Sequence, residues 1–311
     1  MSSTAEAESV LVFGTASSAA HYPIQLKNLV STISLLAATL AGAADDKPAV
    51  LRLGGSDFLR QHTAPALAAE AGAAGLAFEA RFEGSLPAFD AVRSGDLDAA
   101  LVLDPADRDF GDEQGSAGLT AVTVGHIAVA VVVNADHPLQ SIRLDQLASI
   151  FGSGLSQVTR TWGELGLDGV WNDRAIVPML EAGPNGMVRA LFRHAVLGDR
   201  DPADVVMPVD DIAETLDEIR RGRNILAVLD LAHLPASAVR AVALQPTAES
   251  APSEPSSEAI LSGAYPLALP LRLYFPAGRE ARVGPFLELL RSESVRAALR
   301  RDGFLPVPAD G

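Results

Sequence analysis

Short apolar runs alternate with amphipathic stretches after residue 48, and each run ends in small or polar residues. The first three runs are AVLRL, which ends at Gly54, Gly55 and Ser56, LAFEARF, which ends at Gly84 and Ser85, and DLDAALVL, which ends at Asp104. Amphipathic stretches over residues 59–72 and 86–95 separate these runs and predict helices. Because strands and helices alternate, the pattern predicts a parallel sheet.

A longer apolar segment, LTAVTVGHIAVAVVVNADHP, covers residues 119–138. It is too long and too rich in β-branched residues for one ordinary strand, and it fits a chain that leaves one lobe and enters another. The pattern beyond it predicts helices over residues 144–152, 185–198 and 211–222, a turn-rich passage into a strand over 161–180, and a strand over 224–231.

The last part of the chain begins with a segment rich in Pro, Ser and Glu, residues 245–259, which predicts a surface loop. Residues 265–276 then predict a strand that Pro270 interrupts, and residues 283–304 predict one amphipathic C-terminal helix. At 311 residues the chain has room for two lobes of about 130 to 150 residues each.

Composition and charge narrow the class of protein. The chain is 48% hydrophobic and 5% aromatic, which is typical of a globular α/β protein. Its formal net charge of -15 repels nucleic acid and anionic membranes, so neither is an expected partner. The absence of Cys excludes disulfides, thiolate ligands and a lipid-modified N-terminal Cys, and it fits an oxidising compartment.

Residues 26–43 have the three parts of a secretory signal: a basic Lys27, an apolar run over residues 29–40 and small residues at Ala41 and Ala43. The alternative is an ordinary Ala/Leu-rich core helix, since the run is too short to span a bilayer. We expect cleavage after Ala43 and a periplasmic protein that is not a lipoprotein. Residues 1–25 do not fit a signal, and we hypothesise that translation begins near Leu26; an intact Met1 or Ser2 in the exported protein would contradict this.

Three strand-to-helix turns carry short polar side chains, at Ser56, Ser85 and Asn185. Each would place free backbone N–H groups at a helix N-terminus, where the helix dipole favours an anion. If the turns converge on one cleft, they form an oxyanion site that needs no net positive charge. The alternative is that all three are plain N-caps, because Ser and Asn cap helices in many α/β proteins.

Catalytic and metal-binding motifs are missing from the sequence. There is no nucleophile elbow, Walker loop or dinucleotide fingerprint. No His pairs with another His or a carboxylate at metal-ligand spacing on a helix, and the six are scattered: His21, His62, His126, His137, His194 and His233. We therefore expect no enzyme, metal or cofactor.

Several segments resemble, in the same order, the phosphate-binding proteins of ABC importers. They are LRLGGSDF, VRSGDLDAAL, LDQLASIFGSGLSQVTRTWGELGLDGVWNDRAI, FRHAVLG, SGAYPLALPLRLYF and SVRAALRRDGFLPV. The similarity spans residues 48–308, and TWGELGLDGVWNDRAI is its most specific part.

The resemblance implies an α/β, two-lobed periplasmic-binding-protein type II fold in which each lobe is a mixed, mostly parallel sheet flanked by helices. Lobe 1 is expected over residues 44–125 and 260–311 and lobe 2 over 126–245, with 246–259 as the Pro/Ser/Glu-rich loop. The lobes would clamp a small oxyanion, phosphate first, by hinge motion. The implied partner is an ABC permease in the inner membrane, and the protein is expected to be a monomer.

The resemblance also implies which residues bind the ligand. These positions are Gly55, Ser56, Asp57, Gly84, Ser85, Asp104, Asn185 and Gly186. Leu103 and Asp104 replace a Ser-Arg pair of the family, and its Ser-Gly-Thr turn reads GPNGMV here, so Met187 and Val188 stand where hydroxyls are expected. A lost Arg and two lost hydroxyls would weaken phosphate binding by about 5 to 8 kcal/mol.

These substitutions leave two functions to compare. The first is a solute-binding protein that delivers phosphate or a similar oxyanion to an importer. The second is a non-transporting interaction or sensor module that keeps the fold while its pocket has diverged. A hydrolytic function has no nucleophile and base that the sequence pairs.

Overall fold

Strands and helices alternate at the start of the fold. The structure is a computed structural model that describes residues 50–103, 118–183, 186–234 and 239–308. The predicted signal segment, Asp104 and Asn185 lie outside these ranges. The first elements are β1 (Leu51–Gly55), α1 (Thr63–Ala73), β2 (Phe78–Phe82), α2 (Ser85–Ser94) and β3 (Ala99–Leu103). The predicted helix over 59–72 begins late, because a 3-10 turn at Asp57–Leu59 precedes it.

The predicted parallel sheet is confirmed. β1 lies between β2 and β3 and pairs with both in parallel, so that Leu53 is opposite Ala80 on one side and Ala99 on the other. Parallel strands place their carboxyl ends at one edge of the sheet, and the turns that follow them meet there.

The long apolar segment forms a single 16-residue strand, β4 (Leu119–Asn134), which links the two halves of the sheet. Its first half pairs antiparallel with β11 (Ala268–Pro276) and β12 (Phe304–Pro306), and its second half with β8 (Ile225–Asp230) and β9 (Val239–Ala241). Residues 129–133 are fully buried. One strand therefore runs from the first half of the sheet into the second, as its length predicts.

The second half of the sheet is also mixed and mostly parallel. β6 (Val177–Glu181) pairs in parallel with β7 (Met207–Val209) and with β8, and the strand order is β2-β1-β3-β11-β4-β8-β6-β7. The helices of this half are α3 (Leu144–Phe151), α4 (Met187–Phe192) and α5 (Ile212–Arg221). This is the predicted two-lobed α/β fold; the residue boundaries of the lobes stay a prediction.

Several predicted elements have different bounds. The predicted helix over 185–198 changes at Phe192 into a π-helix over Arg193–Leu197. The predicted loop over 245–259 is wrong at its end, where α6 (Ser257–Leu261) begins, because the Ser256 hydroxyl accepts a hydrogen bond from the Ala259 N–H. Strand β11 continues through Pro270 rather than stopping at it.

The predicted C-terminal helix is two helices, α7 (Glu280–Arg291) and α8 (Glu293–Arg301). Ser292 has an extended ψ of 145°, and its hydroxyl accepts from the Val295 N–H at 3.3 Å, which caps α8. The pattern also misses a separate pair of short parallel strands, β5 (Ser141–Arg143) and β10 (Ala243–Gln245). Among the helices that the structure describes, none has the length and apolarity that a membrane span requires.

Candidate functional site

The first two predicted turns lie side by side at the carboxyl ends of β1 and β2. The Gly84 N–H donates to the Gly55 carbonyl at 3.0 Å. Gly84 has φ 140° and ψ 154°, a conformation that favours glycine, and α2 begins at the next residue, Ser85. Gly55 is equally restricted, because an added Cβ would lie 2.9 Å from the Leu101 carbonyl and from the Phe82 ring. The glycines thus bring two serine-bearing turns together.

The two serine hydroxyls differ in their hydrogen bonding. Ser85 Oγ accepts from the N–H of Leu103 at 3.0 Å, which joins the start of α2 to the end of β3. Ser56 is 1% exposed, and its Oγ has no hydrogen-bond partner among the described residues. Neither hydroxyl caps its own helix, so plain N-capping does not account for these two serines. Ser56 is therefore a buried polar group at this edge whose hydrogen-bonding capacity is unused among the described residues.

Two charged residues lie beside these turns. Asp57, a predicted site residue, begins the 3-10 turn and is half-buried. Arg60, which no sequence motif singles out, donates through Nε and Nη2 to the Phe82 carbonyl at 3.2 and 2.7 Å. Its guanidinium therefore lies at the carboxyl end of β2, two residues before Gly84. The sequence shows only that a basic residue follows a glycine-serine turn. It does not predict which group the side chain of this residue contacts.

The third and fourth turns are described only in part, because Asp104 and Asn185 lie outside the described ranges. Gly186 has φ 78°, and its N–H donates to the Gly183 carbonyl at 3.0 Å, so that N–H is already bonded within the turn. Met187 and Val188 follow it and are buried in the core. The helix they begin, α4, is only six residues long. This turn contributes no hydroxyl from the residues described.

Two buried carboxylates lie at the carboxyl ends of β6 and β8. Glu181 is 5% exposed and Asp230 is fully buried. The Asp230 N–H donates to Glu181 Oε2 at 2.7 Å, and Asp230 Oδ1 accepts from the Ala232 N–H at 2.9 Å. Sequence reasoning missed both, although each is an acidic residue at the end of an apolar run. They place two buried carboxyl groups at the strand ends, and Glu181 lies two residues before Gly183 of the fourth turn.

Other polar groups have structural roles. His62 Nδ1 lies 2.7 Å from Asp302 Oδ1, but the other oxygen of this carboxylate accepts from the Thr63 N–H and hydroxyl, which fixes the start of α1. His137 is buried against Trp162 and Trp171. Within the described ranges, no group of three or more His, Asp or Glu side chains has the geometry of a metal site.

Residues 42–293 match a protein family described as the PBP superfamily domain. The phosphate-binding protein PstS of Pseudomonas aeruginosa is 28% identical over 200 residues, which are 61% of this chain and 61% of that protein.

Solved structures resemble the fold. A possible phosphate binding protein from Planctomyces limnophilus superposes with a TM-score of 0.65 and 18% identity, covering 84% of this chain and 94% of that one. An ABC-type phosphate transport receptor from Vibrio cholerae has a TM-score of 0.58 and 17% identity, with coverage of 82% and 99%. At these identities the likeness shows the fold alone.

Proposed function

This chain belongs to the PBP superfamily, and from that membership we propose that it is a periplasmic solute-binding protein that captures phosphate or a related small oxyanion. The ligand is held between two lobes, and the loaded protein, a monomer, delivers it to an ABC permease of the inner membrane. Residues 26–43 direct export. The name of the Pseudomonas aeruginosa relative, a phosphate-binding protein, supports this choice of ligand.

The buried hydroxyl of Ser56 is the observation that carries the proposal. A buried polar group without a hydrogen bond costs about 1 to 3 kcal/mol, so a sequence that keeps one at a strand end gains from a ligand that satisfies it. Ser56 lies beside the Gly55–Gly84 contact, where two of the three turns predicted to bind an anion lie side by side. An oxyanion accepts from the hydroxyl and restores the missing hydrogen bond.

Ser85 and Arg60 supply the remaining contacts in this proposal. Ser85 Oγ accepts from Leu103, so its own hydrogen is still available to donate to an anion. Arg60 is held by the Phe82 carbonyl through Nε and Nη2, and a guanidinium has further donors for an oxyanion. Arg60 thereby replaces part of the positive charge that the family's Ser-Arg pair would bring.

We propose that the carboxyl groups of Glu181 and Asp230, at the ends of β6 and β8, face the ligand and favour an oxyanion that still carries a proton. A carboxylate accepts a hydrogen bond from a protonated oxyanion but repels a fully ionised one. Phosphate keeps a proton at neutral pH and sulfate does not. We therefore expect phosphate to bind more tightly than sulfate.

The test is a calorimetric titration of phosphate into the wild-type protein and Ser56→Ala. Loss of a hydrogen bond to a charged group costs about 1.5 to 3 kcal/mol, so we expect the Kd to rise by roughly 10- to 150-fold. Ser94→Ala is the matched control, because Ser94 lies at the far end of α2 and bonds to Asp96 Oδ2 at 2.7 Å. Equal phosphate affinity in the wild type and both variants would reject the proposed site.

A second candidate is an interaction or sensor module whose pocket no longer binds an oxyanion. The buried Met187 and Val188, together with the Glu181–Asp230 contact, favour it, because they place apolar side chains where hydroxyls are expected and add two buried carboxyl groups. Under this function, millimolar phosphate gives neither heat nor a shift in melting temperature. Micromolar phosphate binding that Ser56→Ala abolishes would rule it out.

A further inference from the structure

A cavity of about 420 Å³ lies at the junction of β4, β12 and α8, and its lining includes none of the predicted anion-site residues. β12 and β1 are separated in the sheet by β3, β11 and β4. With strands about 4.8 Å apart, this places the cavity roughly 19 Å across the sheet from the Ser56 turn. The cavity has the size of a small-molecule pocket, which typically spans about 300 to 1,000 Å³. We call it the His126 pocket.

His126 is the buried polar residue of this wall. It lies in β4 between Pro270 of β11 and Leu305 of β12, and it is 7% exposed. Among the described residues, Nδ1 is fully buried without a hydrogen-bond partner, whereas Nε2 of the same ring is not among the buried, unbonded atoms. Burial and the positive charge of Arg272 lower the pKa of His126, so the ring is neutral at pH 7.

The position of the ring proton follows from these contacts. An N–H that is buried without an acceptor is costlier and rarer than an unsatisfied lone pair. The proton of the neutral ring therefore belongs on Nε2, and His126 presents an N–H donor rather than an acceptor.

Arg300 brings a positive charge to the same pocket. It lies in the last turn of α8, where its Nη1 donates to Glu293 Oε1 at 2.7 Å, and its side chain is 47% exposed. The remaining wall is largely apolar and includes Ile260, Phe304 and Leu305. The carboxyl group of Asp230 lies behind this wall, beside Gly303, so anion binding depends on the donor and the guanidinium. These two groups and the apolar wall are complementary to a carboxylate attached to an apolar body.

We propose that the His126 pocket binds a small organic monocarboxylate, whose carboxylate accepts from His126 Nε2 and Arg300 while its apolar body packs against Ile260 and Phe304. This site is separate from the oxyanion site and does not depend on it. Because β4 runs through both halves of the sheet, a ligand in this pocket contacts the strand that links them.

The experiment titrates benzoate and hexanoate into the full chain, with benzyl alcohol as the uncharged match for benzoate. We expect benzoate to bind with a Kd of about 1 mM or below, the range for a ligand of this size. Benzyl alcohol should bind at least about tenfold more weakly, because it lacks the carboxylate.

Variants assign the binding to this pocket. Arg300→Gln should weaken benzoate binding at least about tenfold, and it should fold normally because it removes only an exposed ion pair. His126→Phe keeps a ring of similar shape but loses the donor, and it should weaken binding as well. Arg301→Gln, at an exposed position outside the lining, is the matched control and should bind like the wild type.

Ser56→Ala should bind benzoate normally, which separates this pocket from the oxyanion site. The proposal is wrong if neither carboxylate binds below about 10 mM. It is also wrong if benzyl alcohol binds as well as benzoate, or if Arg300→Gln leaves the affinity unchanged. Thermal unfolding of each variant checks that the fold is intact.

Discussion

His137 makes the stability of this protein depend on pH. Its ring is 2% exposed, with its centroid 4.1 Å from that of Trp162 and 4.4 Å from that of Trp171. Nδ1 accepts from the Leu139 N–H at 3.2 Å. Burial, followed by the charge of Arg240, lowers the pKa of His137 to about 4. The folded protein therefore holds this side chain neutral well below the pH at which the unfolded chain protonates it.

The direction of the effect follows from proton binding. Between the unfolded pKa of about 6.5 and the folded pKa, the unfolded state binds more protons than the folded state. The stability contribution is therefore complete above this pH window and is lost as the pH decreases through it. From pH 7 to pH 5 we expect this one group to lower the free energy of unfolding by about 2 kcal/mol. Urea unfolding at both pH values measures it. His137→Phe should show a correspondingly smaller difference between the two pH values, and an equal difference would contradict the assignment.

Individual residues also show where sequence reasoning stops. The glycine-serine pairs at Gly55 and Gly84 could be found because each follows an apolar run. The difference between Ser56 and Ser85 could not, because it depends on the N–H of Leu103, 18 residues beyond Ser85. The contact between Glu181 and Asp230 joins residues 49 apart, and no local pattern contains it.

Two helices are tied together by one carboxylate. Asp302 follows α8, and its Oδ2 accepts from the Thr63 N–H at 2.8 Å and the Thr63 hydroxyl at 2.6 Å, at the start of α1. The side chain of His62, the N-cap residue of α1, makes no capping hydrogen bond. The Asp302 carboxylate accepts from the N–H at the start of α1 instead. Asp302 is 7% exposed, so water does not easily replace it.

We expect Asp302→Ala to lower the free energy of unfolding by about 2 to 4 kcal/mol, because it leaves buried donors without an acceptor. Asp90→Ala is the control, since Asp90 is largely exposed and its ion pair with Arg93 is long, at 4.0 Å. That change should stay within about 0.5 kcal/mol. Guanidinium unfolding of both variants gives the comparison, and equal losses would show that Asp302 contributes no more than a surface charge.

The elements themselves were predictable where their pattern is local. The length and β-branched content of residues 119–138 predict β4 and its passage between the two halves. The break at Ser292 was missed because the apolar positions keep a helical spacing across it, while the turn is fixed by one side-chain cap. Strands β5 and β10 have three residues each and pair with each other although they lie far apart in the sequence, so no local pattern predicts them.

The charge of the whole molecule opposes the ligand that we propose. A net charge of -15 repels an incoming anion over distances of about a Debye length, which is roughly 10 Å at 0.1 M salt. Inert salt screens this repulsion. We therefore expect the Kd for phosphate to fall about two- to fivefold between 20 and 300 mM sodium chloride, the reverse of a site that a positive field steers.

A variant at Arg60 distinguishes the attraction of the anion by this side chain from its repulsion by the net charge of the protein. Its guanidinium attracts the anion at short range, and salt weakens that attraction, so the measured salt dependence is the sum of two opposing effects. Arg60→Gln removes the attractive part and should make phosphate binding weaker at every salt concentration but more strongly enhanced by salt. Titrations of the wild type and Arg60→Gln at both salt concentrations test this. The opposite result would be that salt weakens binding in the wild type and that Arg60→Gln removes this salt dependence. In that case the attraction by Arg60 exceeds the repulsion by the net charge of the protein at the binding site.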